Sequence, residues 1–182
     1  KQRAKIKTQA GTISVEIPDE SEDDAAVDLT PADIRTSLKI QAALAKIGAL
    51  LNFNVWIPRT DATQLGSYLD SQTKSALLDE LPLAFDDAVV RTIENIDVLW
   101  LSNRVIIRAF EVEHTTAIYS GLLRMADLLA LVPNLNLPLQ IVAPHERKEK
   151  VFKEINRPVF QLMEKKLSDC CSFLSYEKVL EI

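Results

Sequence analysis

Two β-rich runs, Ile96 to Leu101 and Val105 to Glu113, are separated only by Ser102, Asn103 and Arg104. Strand-forming runs with so short a polar break are the signature of an antiparallel hairpin, so the fold must contain a sheet. The chain before and after keeps a different period. Thr30 and Pro31 supply an N-cap and a first helical turn, and Ile34, Leu38, Ala42, Leu44, Ile47 and Leu51 recur at helical spacing, which predicts a long helix to about Leu51. Phe53 to Ile57 reads as a short strand stopped by Pro58, Thr60 to Thr73 as loop or weak helix, and Asp86 to Ile93 as a short helix. After Thr115 and Thr116, Ile118 to Leu131 form an apolar helix closed by Pro133. Leu139 to Val142 read as a strand, Glu146 to Ile155 as a charged helix and Ser172 to Leu174 as a last strand. Helix, strand, hairpin, helix, strand, helix is the order of an α/β sandwich with a mixed central sheet.

With 182 residues, 47% of them hydrophobic and 26% charged, the chain has the composition of one globular domain plus a tail. The tail is residues 1–29: basic and polar to about residue 10, strand-like alternation from Thr12 to Ile17, then an acidic linker from Pro18 to Asp28. The compact domain, 30–182, is expected to start near Thr30, and deleting the linker is expected to leave stability nearly unchanged. A chain that begins at Lys1 and not at Met is expected to be processed or part of something longer. Apolar runs such as Leu128 to Val132 are too short to span a membrane, and nothing resembles a signal peptide, so the expected compartment is the cytoplasm. Cys170 and Cys171 are adjacent, which disfavours a disulfide between them and leaves them reduced and partly buried.

A net charge of -5 speaks against a nucleic-acid partner at first sight. Six acids, Asp19, Glu20, Glu22, Asp23, Asp24 and Asp28, lie in the linker without a nearby base, however, and the rest of the chain sums to about +1. A near-neutral body can hold DNA through a local patch. The four glycines, Gly11, Gly48, Gly66 and Gly121, form no phosphate-cradling loop, and no arrangement for acyl transfer is present.

Chemistry concentrates on the hairpin. Side chains alternate along a strand, so Glu111 and Glu113 project to one face, about 7 Å apart. A three-residue loop would pair Leu101 with Val105, place Asp97 opposite Ala109 and set it diagonal to Glu111 on that face. Three converging acids repel unless a cation sits among them, and hard oxygen ligands of this kind suit Mg²⁺. The plainer alternative is a solvated strand end with Asp97 capping a turn.

The stretch IDVLW, Ile96 to Trp100, followed by AFEVE, Ala109 to Glu113, resembles the bipartite motif of the PD-(D/E)XK nuclease superfamily. That motif has an acid opening one strand, then an acid, any residue and a lysine on the next. Here Ile96 replaces the proline and Glu113 stands where the lysine belongs, a variant that a minority of restriction enzymes carry. The run from Glu111 to Phe160 also resembles a family of predicted bacterial and archaeal restriction-type proteins, and the likeness covers roughly residues 35 to 175. The resemblance implies a restriction-endonuclease-like sandwich that hydrolyses DNA phosphodiesters in restriction or phage defence. It implies catalytic and metal-binding roles for Asp97, Glu111 and Glu113, with the Val112 carbonyl as a further ligand, Mg²⁺ or Mn²⁺ as cofactor, and a homodimer to cut both strands. Recognition would lie in an upstream domain or a partner subunit. The rival is a non-catalytic module of the same fold, in which Glu113 marks loss of cleavage.

Ser120 and Arg124 share a helix face at i and i+4, where they could meet a DNA phosphate, and Arg59 follows the strand ending at Ile57. Against this stand an Arg124 pairing with Asp127, a buried Tyr119 and an ordinary exposed Arg59. His114 follows the motif, and the segment from Arg147 to Lys166, with seven bases and three acids, reads as a solvated helix sooner than as a phosphate patch.

Overall fold

A computed structural model describes residues 2–8, 11–17, 30–113, 118–132 and 136–182. The acidic linker, with its six acids, and His114, Thr115, Thr116 and Pro133 lie outside the described residues. Strand β1 (Gln2–Thr8) pairs antiparallel with β2 (Gly11–Ile17), Ile6 opposite Ile13 and Ala4 opposite Val15. Only β2 was expected, from the alternation of Thr12 to Ile17, because Arg3, Lys5 and Lys7 make the preceding stretch read as basic and polar.

Helix α1 (Pro31–Leu50) closes at Asn52, whose φ of 61° turns the chain while the Phe53 amide donates back to the Gly48 carbonyl at 2.9 Å. Then come β3 (Asn54–Trp56), α2 (Arg59–Leu65), α3 (Ser71–Ala76), α4 (Asp87–Ile93), β4 (Val98–Ser102) and β5 (Val105–Val112). Helix α5 (Tyr119–Leu131) leads to β6 (Leu139–Ala143), a 3-10 turn (His145–Arg147) and α6 (Lys148–Ile155). The chain ends with α7 (Pro158–Gln161), a second 3-10 turn (Leu167–Asp169), β7 (Cys171–Ser175) and α8 (Tyr176–Leu180).

The main sheet runs β3-β4-β5-β6-β7, antiparallel from β3 to β5 and parallel from β5 to β7. Because strand side chains alternate, its two faces carry two separate cores. One joins Leu99, Leu101, Ala109 and Ile141 to Leu122, Met125 and Leu129 of α5 and to Val151 and Ile155 of α6. The other joins Val98, Trp100, Phe110 and Val142 to Ile40, Leu44 and Ala45 of α1 and to Tyr176 and Val179 of α8. The architecture is the expected α/β sandwich, a mixed sheet flanked by helices. Helix α1 lies close on the sheet because Gly48 leaves room for Trp100, whose indole donates to the Leu44 carbonyl at 3.0 Å. No helix among the described residues is long and apolar enough to cross a membrane.

Candidate active site

The hairpin turn has two residues, not three. Ser102 pairs with Val105 across Asn103, whose φ of 55° supplies the left-handed conformation that two-residue hairpin turns require. Carried on evenly, this register would turn Asp97 away from Glu111. It is not carried on: Leu101 pairs with Ile106 but Trp100 with Arg108, so Ile107 is an unpaired bulge residue. Beyond the bulge Leu99 faces Ala109 and Val98 faces Phe110, which sets Asp97 in the cross-strand row of Glu111 and corrects the expected pairing of Asp97 with Ala109.

Three acids therefore meet at one rim of the sheet. Asp97 is half-buried, and its Oδ2 accepts from the Val112 amide at 2.7 Å. Asp97 and Glu111 influence each other electrostatically across the rim. Glu111 is fully buried on the α5 face, where the Arg124 guanidinium takes both of its oxygens, Nε to Oε1 at 2.9 Å. Arg124 thus pairs with Glu111 and not with Asp127, its expected alternative partner. Glu113, buried just past the end of β5, donates its amide to the Val142 carbonyl at 2.8 Å and accepts from the Gly121 amide on Oε1 at 3.0 Å. Its carbonyl accepts from the Tyr176 hydroxyl at 3.0 Å. A Cβ at position 121 would overlap Glu113 Oε1, so the first turn of α5 can close on the acid only as glycine.

Burial dominates the electrostatics. It lifts the Asp97 carboxyl to about 6 against the pull of the Val112 amide and Arg124. Burial, then repulsion from Asp97, lifts Glu113 to about 7, with Arg124, the Gly121 amide and Arg147 opposing. Glu111 is driven well above the ordinary carboxylate range by burial in spite of its arginine, and the same cluster holds Arg124 firmly protonated. Carboxyls that titrate near neutrality in a charged, poorly solvated rim are suited to proton transfer and to cation binding.

Several neighbours escaped the sequence reading. Asp61 of α2 adds to the repulsion on Asp97 and accepts from the buried Gln41 amide at 3.4 Å. Arg147 draws Glu113 down, and Tyr176 carries the hydroxyl that fixes its main chain. None of these sits in a motif. Their positions follow from β3, β5, β6 and β7 running the same way, so that the segments after all four strands share one end of the sheet. Ser120 is exposed on the first turn of α5. Arg59 is exposed at the start of α2, donating to the Asp79 carbonyl at 3.3 Å and lying 4.0 Å from Glu80. Tyr119 packs against Phe160 with its ring 4.8 Å from the Arg157 guanidinium, a structural position. Cys170 and Cys171 are unbridged, and burial pushes the Cys171 thiol to about 12, far from a working nucleophile.

Hard carboxylate oxygens at a low-dielectric rim fit a divalent cation in donor chemistry. Among the described residues, however, no three His, Cys, Asp or Glu side chains stand arranged as metal ligands. Arg124 covers Glu111 and the Gly121 amide covers one oxygen of Glu113. The positive charge balancing Glu111 is supplied by the arginine.

Comparison with known proteins points to one family. Residues 16–182 match the family described as the type II restriction enzyme NmeDI C-terminal domain. The type II restriction enzyme NmeDI of Neisseria meningitidis serogroup C is 41% identical over 136 residues, which cover 70% of this chain and 38% of that protein. The chain thus corresponds to well under half the length of that relative. No solved structure matches it. The chain belongs to the family of the type II restriction enzyme NmeDI C-terminal domain.

Proposed function

We propose that this chain is the catalytic domain of a Mg²⁺-dependent endodeoxyribonuclease of the PD-(D/E)XK kind, serving a restriction or phage-defence system. The observation that carries the reading is the convergence of Asp97, Glu111 and Glu113 on one sheet rim, reached only through the bulge at Ile107. Asp97, Glu111 and the Val112 carbonyl would hold Mg²⁺, or Mn²⁺ in its place, which when bound offsets charge on the scissile phosphate and lowers the pKa of water.

Glu113 stands in the lysine position of the motif. With its carboxyl at about 7 and one oxygen fixed by the Gly121 amide, the other oxygen is placed to take a proton from an attacking water. Arg124 is the phosphate-facing cation: on release of one Glu111 oxygen a guanidinium N–H becomes available to a phosphate oxygen. Ser120 and Arg59 flank the rim as exposed DNA contacts. The catalytic unit begins near Thr30, with the residues before it an appendage. It works in the cytoplasm as a homodimer, one site for each strand, with sequence recognition supplied by protein outside this chain.

Plasmid DNA incubated with the chain tests the reading. Nicked and linear products are expected with Mg²⁺ or Mn²⁺, none with EDTA, and none from Asp97→Ala. Mg²⁺ should also raise the melting temperature of the parent but not of Asp97→Ala. A folded parent that cuts neither DNA nor RNA with either ion would leave the non-catalytic module as the function.

A further inference from the structure

The rim that carries the acid cluster has a second concavity two strands away. A pocket of about 320 Å³ is lined by His145, Lys148 and Phe152 on one side and by Phe173, Ser175 and Lys178 on the other. Its walls come from four elements, His145 from the first 3-10 turn. Lys148 and Phe152 lie one turn apart on α6, both exposed, while Val151 and Ile155 of the same helix enter the core. Phe152 leaves 42% of its surface open, unusual for a large aromatic with a core close at hand. Phe173 comes from edge strand β7, and Lys178 from the first turn of α8.

The position relative to the acids is fixed by register. Glu111 pairs with Ile141 and Ile141 with Phe173, so Phe173 lies in the row of Glu111 on the same face, about 10 Å away at the usual strand spacing. His145 follows β6 as Glu113 follows β5, which places the pocket mouth at the same sheet end as the cluster. No carboxylate is among the described residues that line the pocket, although the chain as a whole is acidic. Glu177, beside Lys178, is held low first by its own amide and the Ser175 hydroxyl and then by His145, so its carboxylate stands at the pocket edge without being part of that lining.

Two aromatic rings with two lysines and a histidine at their edge match a ligand that is flat and apolar at one end and anionic at the other. The volume is near the lower limit of small-ligand pockets, the size of one nucleotide. We propose that this pocket receives a single unstacked nucleotide of the DNA strand lying across the acid cluster, its base on Phe152 and Phe173 and its phosphate between Lys148 and Lys178. The proposal rests on the nuclease reading. Aromatic faces hold any base once it has left the duplex stack, and the lysines add the attraction for the backbone that brings it there.

Fluorescence anisotropy of labelled single-stranded and duplex oligonucleotides, measured in EDTA so that nothing is cut, tests it. Phe152→Ala should weaken single-strand binding about fivefold or more. Lys148→Glu combined with Lys178→Glu should weaken both ligands and make the salt dependence of binding shallower by about one to two counterions. Lys39→Glu, an exposed charge change on α1, should bind like the parent. Circular dichroism confirms that each variant is folded. Pocket variants that bind like the parent, or a Lys39→Glu that loses as much, would overturn the proposal. If the parent cuts plasmid with Mg²⁺ while the pocket variants bind normally, the pocket proposal falls and the nuclease reading stands. If the folded parent neither binds nor cuts, the nuclease reading falls and the pocket proposal with it.

Discussion

Glu113 and Gly121 fit each other as acid and cradle: the glycine amide donates to Glu113 Oε1 at 3.0 Å, and the position has no space for a Cβ. Gly121→Ala must therefore push either the carboxylate or the first turn of α5 aside. The Glu113 carboxylate and the Glu111 Cβ both crowd the site, so the helix-propensity benefit of alanine should be outweighed, with a net loss of about 1–3 kcal/mol in unfolding free energy. Gly66→Ala is the matched control. Its Cβ would meet only the Thr63 carbonyl at 3.5 Å, and its backbone is already helical, so stability should hold or rise slightly. Urea titration of both variants checks the contrast.

The raised carboxyls make a statement about pH. Asp97 at about 6 and Glu113 at about 7 bind protons more tightly in the folded protein than in the unfolded chain, where carboxyls titrate near 4. Their contribution to stability is full below about pH 4 and is lost as the pH rises through about 7. In metal-free buffer the parent should lose stability between pH 5 and 8 relative to the double variant Asp97→Asn with Glu113→Gln. Parallel melting curves across that range would refute the cluster's electrostatics.

Arg124 is the counter-charge that permits a fully buried Glu111. Removing it leaves an unpaired acid inside, which costs about 2–3 kcal/mol at pH 8, discounted from the usual figure because a third of the arginine faces solvent. The loss should shrink at pH 5 as Glu111 takes up a proton. Arg124→Lys should recover only part of it, because a lysine cannot reproduce the two-oxygen contact. Chemical denaturation at the two pH values reads both effects.

The same pairing separates the three acids from one another. Asp97→Ala, Glu111→Ala and Glu113→Ala should each abolish cleavage, but stability should move differently. Asp97→Ala and Glu113→Ala relieve repulsion and should hold or improve folding in the absence of metal. Glu111→Ala strands the Arg124 charge and should not. A simple argument from like charges expects all three to behave alike, so melting temperatures of the three variants in EDTA decide between the two pictures.

How much of this was readable from the sequence differs by element. Helix α1 and helix α5 carry long, unambiguous periods and stand where the pattern put them, while the hairpin is present with a turn one residue shorter than expected. Helix α7 with four residues and α8 with five are too short to show a period at all. The acids were legible as a motif, but their convergence was expected for the wrong reason. Nothing in Val105, Ile106, Ile107 and Arg108 marks which residue leaves the ladder, since both isoleucines suit a strand equally well. The partner of Arg124 was hidden because it depends on how α5 packs across β5, which no local spacing encodes.

The unpaired Ile107 gives the hairpin a parity. A strand has only two sides, so Asp97 and Glu111 share one only while the number of residues between them keeps step with the turn and the bulge together. Drawing Ile107 into the ladder would put Asp97 opposite Phe110, on the α1 side, with the acid cluster divided between two faces. Taking Ser102 into the turn at the same time, so that Leu101 faces Val105, would return Asp97 to the side of Glu111, opposite Ala109. The bulge and the turn therefore act together on the acid cluster: removing Ile107 leaves Asp97 opposite Glu111, whereas straightening the bulge with Ile107 in place divides the cluster as decisively as the loss of an acid.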